Sequence, residues 1–343
     1  MRAALAALAM LGACATAPEP PRWSIVVHGG AGVIERTSMT PELEALYRAA
    51  MVHALAAGGA ILERGGSALD ATEAVIAEME DDPLFNAGRG AVFTAEGRNE
   101  LDAAIMDGRT RAAGAVAGVT QTRHPISLAR RVMEQSPHVM LVGAGAEAFA
   151  RAQGLEEAAP SFFFTERRWR QLEEFLRRNN LPIPPRPAGA RAPEAMNESH
   201  PDDHQFGTVG VVAYDTHGDI AAGTSTGGTT GKRWGRVGDT PVIGAGTYAQ
   251  NGVCGVSATG AGEYFIRVGV ARAICARMEL DGASAQAAAD AVMAEVGAIS
   301  GDGGVIVLDG RGRAAYALNV PGMYRARLEA GGAPEIRIFA DEE

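Results

Sequence analysis

The sequence is poor in cysteine, in positive charge and in long apolar stretches. Its three cysteines lie far apart, at positions 14, 254 and 275, and no group of residues has the spacing of a metal site. The net charge of −10 argues against nucleic acid or an anionic membrane surface as a partner. After the N-terminus, no uninterrupted apolar run is long enough to span a bilayer. The 343 residues, 47% of them hydrophobic, can nevertheless bury a large core.

Residues 1–21 predict an export signal with a short tether. Met1 and Arg2 precede the apolar run AALAALAML, which is too short for a stable membrane span. The run ends in LGAC, which resembles the lipobox of bacterial lipoproteins, so we expect lipidation of Cys14. The expected location is the bacterial cell envelope, lipid-anchored in the periplasm, and Ala15 fits sorting to the outer membrane. Secretion to the periplasm without an anchor, or no export at all, are the alternatives.

The two remaining cysteines would then lie in an oxidising compartment. Cys254 falls in a predicted strand and Cys275 in a predicted helix. Their spacing alone does not show whether they meet, and we expect two buried thiols.

Predicted strands and helices cluster along the chain and do not alternate strictly, which favours an α+β fold with layered sheets. A strand at 24–28 runs into the glycine-rich turn HGGAG, and residues 85–108 read as a loop, a strand, a turn and a second strand. Further strands are predicted at 112–119, 140–144, 252–259, 304–308, 314–319 and 335–339, and helices at 40–64, 67–81, 125–135, 166–178, 262–278 and 284–296.

Thr208 stands at an abrupt change of pattern. The segment 179–205 has the proline and polar content of a disordered linker and leads to Phe206 and Gly207. Thr208 then opens a predicted hairpin, with strands at 208–214 and 220–226. A threonine hydroxyl needs a base, and an N-terminal threonine supplies its own α-amine, with a pKa of about 7.7–8. Cleavage between Gly207 and Thr208 would create that amine; a threonine that merely opens a strand is the alternative.

Six motifs occur in order between residue 23 and the end of the chain: HGGAG, FNAG, GTVG, TSTGG, GRVGD and SATGAGE. Together they resemble the plant-type L-asparaginase / isoaspartyl peptidase family, whose members are N-terminal nucleophile (Ntn) hydrolases of the threonine type. The resemblance implies a four-layer αββα sandwich. It also implies one domain, 22–343, self-cleaved into an α chain, 22–207 with the linker at about 179–207, and a β chain, 208–343, assembled as a dimer of αβ protomers.

The resemblance further implies roles for individual residues around Thr208. Thr226 would orient the nucleophile, and Asn86 would organise the site. Thr259 and the backbone N–H of Gly260 would form the oxyanion hole, which stabilises the negative charge that develops on the amide oxygen. Tight Gly/Ser/Thr turns and a turn asparagine are the structural alternatives.

Arg236 and Asp239, three residues apart in GRVGD, could face one ligand. An amino acid that reacts through its side-chain amide presents a free carboxylate, which suits the forked arginine, and a free ammonium, which suits the aspartate. An exposed ion pair in a loop is the alternative. Gly262 would leave room for backbone contact with the ligand. Ala261 replaces the threonine of the family's Gly-Thr-Gly and so removes a hydroxyl from the expected site. The resemblance therefore does not indicate the substrate preference.

Residues 79–90, MEDDPLFNAGRG, resemble the family's sodium loop, and no cofactor is implied for catalysis. The implied ligands of a structural sodium ion are backbone carbonyls: Met79, Glu80, Asp82, Phe85, Ala87 and Arg89.

The expected activity is release of L-aspartate from L-asparagine, with ammonia, and from β-aspartyl (isoaspartyl) dipeptides. The relative preference for the two substrates stays open. One alternative is a glycosylasparaginase-type amidase, against which Gly207 counts, because that branch typically carries aspartate there. The other is a non-catalytic envelope lipoprotein that binds amino acids or peptides on the same fold.

Overall fold

A computed structural model describes residues 22–190 and 207–342, so Cys14 and the linker residues 191–206 lie outside the described part. The described chain is a mixed α+β structure. Its strands are β1 (Ser24–Gly32), β2 (Leu101–Asp107), β3 (Ala113–Val119), β4 (Met140–Val142), β5 (Val209–Tyr214), β6 (Ile220–Thr226), β7 (Thr247–Gln250), β8 (Cys254–Gly260), β9 (Gly303–Asp309), β10 (Ala314–Leu318), β11 (Gly322–Glu329) and β12 (Glu335–Phe339). Its helices are α1 (Pro41–Glu63), α2 (Ala68–Asp81), α3 (Pro125–Gln135), α4 (Gly143–Ala152), α5 (Pro160–Phe163), α6 (Glu166–Arg178), α7 (Gly262–Val268), α8 (Val270–Asp281) and α9 (Ala285–Ala298).

Two sheets organise these elements. The larger has eight strands in the order β12-β11-β1-β5-β6-β2-β3-β4, and the smaller has four in the order β10-β9-β8-β7. All pairs are antiparallel except β3 with β4. The predicted hairpin β5–β6 therefore lies at the centre of the larger sheet, with Thr208 immediately before it.

The central strands are buried on both faces. Along β5, Val211 packs in one hydrophobic cluster and Val212 in another, because successive side chains of a strand point to opposite faces. The first cluster also contains residues of α1, α2 and α3, and the second contains residues of the smaller sheet, α8 and α9. Burial on both faces explains why β5 reads as a continuous apolar run.

The helix starts at Thr40 and Ser67 agree with the sequence. Thr40 Oγ1 accepts a hydrogen bond from Leu43 N at 3.2 Å, and Ser67 Oγ accepts one from Asp70 N at 3.0 Å. The helix that Thr40 caps, α1, is the one helix among the described residues that is long and apolar enough to cross a membrane by length and composition. Here α1 packs against α2, β1 and β11.

The first of the two strands predicted within 85–108 is absent, and the described structure has a loop at 91–94. Side chains bind its backbone groups: Val92 N donates to Asn86 Oδ1 at 2.9 Å, and Asn99 Nδ2 donates to the carbonyls of Ala91 and Val92. These bonds hold the backbone as a loop, since the groups they satisfy would otherwise pair in a sheet.

Two further predictions differ from the structure. The helix predicted at 262–278 is two helices, because Gly269 adopts a left-handed conformation, φ 67°, between α7 and α8. The HGGAG segment, predicted as a turn, is the second half of β1 and contains a register shift between His28 and Ala31.

The expectation of two buried thiols is wrong. Cys254 in β8 and Cys275 in α8 form a disulfide with a Cα–Cα distance of 5.7 Å. Both residues are fully buried where α8 packs on the smaller sheet, and this packing brings together cysteines that are 21 positions apart.

Candidate active site

The carbonyl oxygen of Gly207 is the centre of the site. It accepts hydrogen bonds from Thr208 Oγ1 at 2.7 Å, Thr226 Oγ1 at 2.9 Å and Asn86 Nδ2 at 2.8 Å. Thr226 Oγ1 in turn accepts from Thr208 Oγ1 at 3.2 Å and from Gly228 N at 3.0 Å. Three donors thus surround the oxygen of the peptide bond that precedes Thr208.

Local structure brings these donors together. Thr226 is the last residue of β6, whose pairing with β5 returns the chain to Thr208. Asn86 lies between α2 and β2; its Nδ2 also donates to Gly228 O at 2.8 Å, and its Oδ1 accepts from Val92 N at 2.9 Å. Its side-chain atoms are therefore bound on both sides, which fixes the Nδ2 group against Gly207.

The HGGAG strand packs against the same peptide bond. A Cβ on Gly30 would lie 3.2 Å from Gly207 Cα and 3.4 Å from Thr208 N, so the main chains are in close contact there. The next residue, Ala31, donates its N–H to Thr259 Oγ1 at 3.3 Å. Thr259 is fully buried next to Gly260, the last residue of β8, and it contacts this glycine-rich strand through Ala31.

Arg236 and Asp239 belong to a second group of predicted site residues. A Cβ on Gly262 would lie 3.0 Å from Arg236 Nη2 and 2.8 Å from Asp239 Oδ1, so all three residues share one small space. Gly228 joins this group to the first, because its Cβ position is 3.4 Å from Arg236 Nη1 while its backbone binds Thr226 and Asn86. The structure thus brings these predicted site residues into one region: Asn86, Thr208, Thr226, Arg236, Asp239 and Gly262.

Asp239 is a buried carboxyl with one atom unsatisfied. It is 5% exposed, and Oδ2 has no hydrogen-bond partner among the residues that the structure describes. Burial raises the pKa of Asp239 from 3.8 to about 7, against the opposing effects of a backbone hydrogen bond and of Arg236. An arriving cation would supply the partner that this carboxylate lacks.

Glu263 is a functional contact that the sequence did not predict. Its carboxylate accepts two hydrogen bonds from Arg236, from Nε at 2.8 Å and from Nη2 at 2.9 Å. Burial alone would lower the pKa of Arg236, but this bidentate pair leaves it raised. Glu263 is the last residue of the SATGAGE motif, so the sequence marked its position. Its contact with Arg236 becomes visible only in the folded structure.

Lys232 and Asp102 are a second unpredicted pair. Both are buried, with Lys232 Nζ 3.9 Å from Asp102 Oδ2 and bonded to the carbonyl of Glu100 at 2.8 Å. Burial lowers the pKa of Lys232 and raises that of Asp102. Asp102 is the cross-strand neighbour of Thr226, and a Cβ on Gly228 would lie 3.1 Å from Lys232 Nζ. The pair therefore lies next to the site, beside Thr226 and Gly228.

His28 contacts the main chain of Thr208. Its Nδ1 lies 3.1 Å from Thr208 O, and its Nε2 lies 2.9 Å from Ser257 Oγ. Complete burial lowers the pKa of His28 to about 3, so the ring is neutral at ordinary pH. His28 began one of the quoted motifs, but nothing in the sequence indicated its contact with residue 208.

The predicted sodium loop has carbonyl groups packed around two glycines. A Cβ on Gly88 would lie 2.2 Å from Glu80 O, and one on Gly90 would lie 2.0 Å from Phe85 O. The described residues hold no cluster of His, Cys, Asp and Glu suited to a metal. The carbonyls of Glu80 and Phe85, two of the implied ligands, thus lie against the glycines of this loop, and neutral carbonyls of this kind would suit an alkali ion.

Comparison with known proteins identifies the family. A family profile described as "Asparaginase" matches residues 21–338, nearly the whole chain. The chain belongs to the asparaginase family. The isoaspartyl peptidase of Salmonella typhimurium is 46% identical over 318 residues, covering 92% of this chain and 98% of the relative. That of Escherichia coli is 45% identical over 319 residues, with 93% and 96% covered.

A third asparaginase-family relative carries a different name. The plant-type L-asparaginase of Pyrococcus abyssi is 43% identical over 310 residues, covering 90% of this chain and 97% of the relative. The relatives' names thus include both activities that the motifs indicate, and the resemblance drawn from six short motifs is confirmed over the full length.

Proposed function

We propose that this protein is a self-processing N-terminal-threonine amidohydrolase. It hydrolyses L-asparagine to L-aspartate and ammonia, and it cleaves β-aspartyl dipeptides. One observation carries the proposal: the Gly207–Thr208 peptide bond lies within a group of hydroxyl and amide donors that borders the Arg236–Asp239 pair at Gly228.

Self-cleavage begins with attack of Thr208 Oγ1 on the carbonyl carbon of Gly207. The hydroxyl proton passes to the Thr208 nitrogen as the C–N bond breaks, which leaves an ester between the two residues. The negative charge that develops on Gly207 O is stabilised by Asn86 Nδ2 and Thr226 Oγ1, which already lie at 2.8 and 2.9 Å. Water then hydrolyses the ester, giving an α chain that ends at Gly207 and a β chain that begins at Thr208.

The free amine of Thr208 then acts as the base for substrate turnover. It accepts the proton of Thr208 Oγ1 as that oxygen attacks the side-chain carbonyl of the substrate. We assign the orientation of the hydroxyl to Thr226, and the oxyanion hole to Thr259 and the Gly260 N–H. The Thr208 ammonium returns the proton to the leaving nitrogen, so ammonia or an amino acid departs as the acyl-enzyme ester forms; water then hydrolyses this ester, which releases L-aspartate and regenerates the threonine.

Specificity lies at the other end of the substrate. The guanidinium of Arg236 suits the α-carboxylate, and the unsatisfied carboxyl of Asp239 suits the α-ammonium. Asparagine and β-aspartyl dipeptides share this end and differ only in the leaving group. A single site therefore accepts both, with Gly262 leaving room for the ligand's backbone atoms.

Four further features belong to this proposal. We infer the four-layer αββα arrangement of the Ntn hydrolases, which the two clusters on opposite faces of β5 support. The protein is proposed to assemble as a dimer of αβ protomers. A sodium ion bound by the carbonyls of residues 79–90 would hold the loop that carries Asn86. Export with lipidation of Cys14 is supported by the Cys254–Cys275 disulfide, since such bonds persist in oxidising compartments.

The activity is tested with purified, fully processed protein on three substrates: L-asparagine, β-Asp-Leu and a glycosylasparagine. We expect turnover of the first two and little of the third. Dominant activity on the glycosylasparagine would assign the chain to the rival amidase. Tight binding of aspartate without turnover of any substrate would indicate a binding protein.

A further inference from the structure

Four buried polar side chains form a continuous chain of hydrogen bonds beneath the site. His28 Nε2 lies 2.9 Å from Ser257 Oγ, which lies 2.7 Å from Thr224 Oγ1, which lies 2.7 Å from Thr247 Oγ1. All four residues have no exposed surface. They come from β1, β8, β6 and β7 in that order, so successive residues alternate between the larger sheet and the smaller one.

The direction of these bonds follows from the first acceptor. Thr208 O can only accept, so His28 Nδ1 carries the proton and donates at 3.1 Å, which leaves Nε2 as an acceptor. Ser257 therefore donates to His28 and accepts from Thr224, which accepts from Thr247. Each hydroxyl has one proton, so Thr247 shares its proton between Thr224 Oγ1 at 2.7 Å and the carbonyl of Thr240 at 3.2 Å.

The far end of this chain reaches the substrate-binding segment. The Thr247 hydroxyl also lies 3.2 Å from the carbonyl of Thr240, the residue after Asp239. The preceding residue, Gly246, donates its N–H to the carbonyl of Asp239 at 3.1 Å. One end of the chain therefore holds the main chain of Thr208 and the other holds that of Asp239–Thr240.

The second glycine of GTVG marks the space this chain needs. A Cβ on Gly210 would lie 1.9 Å from Ser257 Oγ and 2.2 Å from His28 Nε2. Any side chain there would enter the bond between them. Buried polar groups are costly without partners, and apolar side chains could fill the same volume. A polar chain kept in this position therefore points to a positional role.

We propose that His28, Ser257, Thr224 and Thr247 form a positioning relay that fixes the nucleophile and the substrate-binding segment in one frame. None of the four touches the reacting atoms. The proposal rests on the function proposed above. The Thr208 end of the relay holds the nucleophile, so it should affect kcat. The Thr240 end holds the substrate-binding segment, so it should affect KM.

The test is a split between kcat and KM in processed variants. Ser257→Ala disconnects Thr208, so kcat falls by about tenfold, as expected for one lost hydrogen bond, while KM stays within about threefold. Thr247→Val disconnects Thr240 and raises KM by about tenfold with little change in kcat. Thr224→Val, in the middle, changes both, and Thr224→Ser restores both because it keeps the hydroxyl.

The matched control is Thr72→Val. Thr72 is a fully buried threonine in α2 whose hydroxyl has no partner within the described chain, so its kinetics remain those of wild type. If Thr224→Val does not fold, Ser257→Ala and Thr247→Val decide the question alone. Equal changes in kcat and KM at both ends, or none at either, would overturn the relay. An inactive wild type would instead refute the proposed function.

Discussion

Replacing Asp239 with asparagine tests the two consequences of its burial at once. The carboxyl lies beside Arg236 with one oxygen unsatisfied, and its pKa is raised from 3.8 to about 7. Asparagine keeps the shape of the side chain and removes its ionisation. We expect Asp239→Asn to stabilise the protein at alkaline pH and to weaken substrate binding. The reason is that the buried negative charge that would bind the substrate's ammonium also destabilises the fold when no substrate is bound.

The size of the effect follows from proton linkage. A folded-state pKa above the unfolded value means that the contribution to stability is complete below pH 3.8 and is lost as pH rises through about 7. The folded-state pKa lies about two pH units above pH 5, and the free energy of unfolding changes by about 1.36 kcal/mol for each unit. Wild type should therefore lose about 3 kcal/mol from this group between pH 5 and pH 8, and Asp239→Asn should not.

The assay is thermal and urea unfolding of processed wild type and Asp239→Asn at pH 5 and pH 8. Groups elsewhere contribute equally to both proteins, so the difference between the two pH dependences isolates residue 239. In parallel, KM should rise by about 10- to 100-fold, as expected for a lost hydrogen bond to a charged group. Parallel pH dependences for the two proteins would refute the reasoning, and so would an unchanged KM.

Three further predictions follow from the site and its surroundings. Arg236→Ala should self-cleave at the normal rate but lose substrate turnover, since the Gly207–Thr208 bond has no free carboxylate to hold; a cleavage block measured on denaturing gels would contradict this. Asn86→Ala removes a donor to Gly207 O and should slow self-cleavage by about 100-fold or more in a gel time course, and cleavage at the wild-type rate would argue against its role. Reduction of Cys254–Cys275, which closes a loop of 21 positions, should lower the free energy of unfolding by about 3 kcal/mol, whereas an unchanged urea midpoint would show that the bond is dispensable.

Features encoded by neighbouring residues could be predicted from the sequence. The caps at Thr40 and Ser67 and the β5–β6 hairpin depend on residues a few positions apart, and the structure contains all of them. The family resemblance also rested on short motifs. The six motifs occur in the family's order, and that order was enough to indicate the family.

Features that depend on distant partners could not be predicted. The strand β11 was not predicted, because its partner β1 lies near the other end of the sequence. Ser257 and His28 are 229 positions apart, so their hydrogen bond leaves no local pattern. The same holds for Glu263, whose carboxylate could belong to any exposed ion pair until Arg236 is seen beside it. The first strand predicted within 85–108 does not form, because the side chain of Asn99 binds the backbone carbonyls of Ala91 and Val92.

The most direct test of the central claim is the N-terminal sequence of the fragments formed by purified protein. We predict that the full-length band converts to two fragments on a denaturing gel, that the smaller begins at Thr208, and that hydrolysis of β-Asp-Leu rises in proportion. Thr208→Ala should abolish conversion and hydrolysis together, and Thr208→Ser should retain part of each. Full activity from an uncleaved chain, or cleavage that persists in Thr208→Ala, would contradict the account.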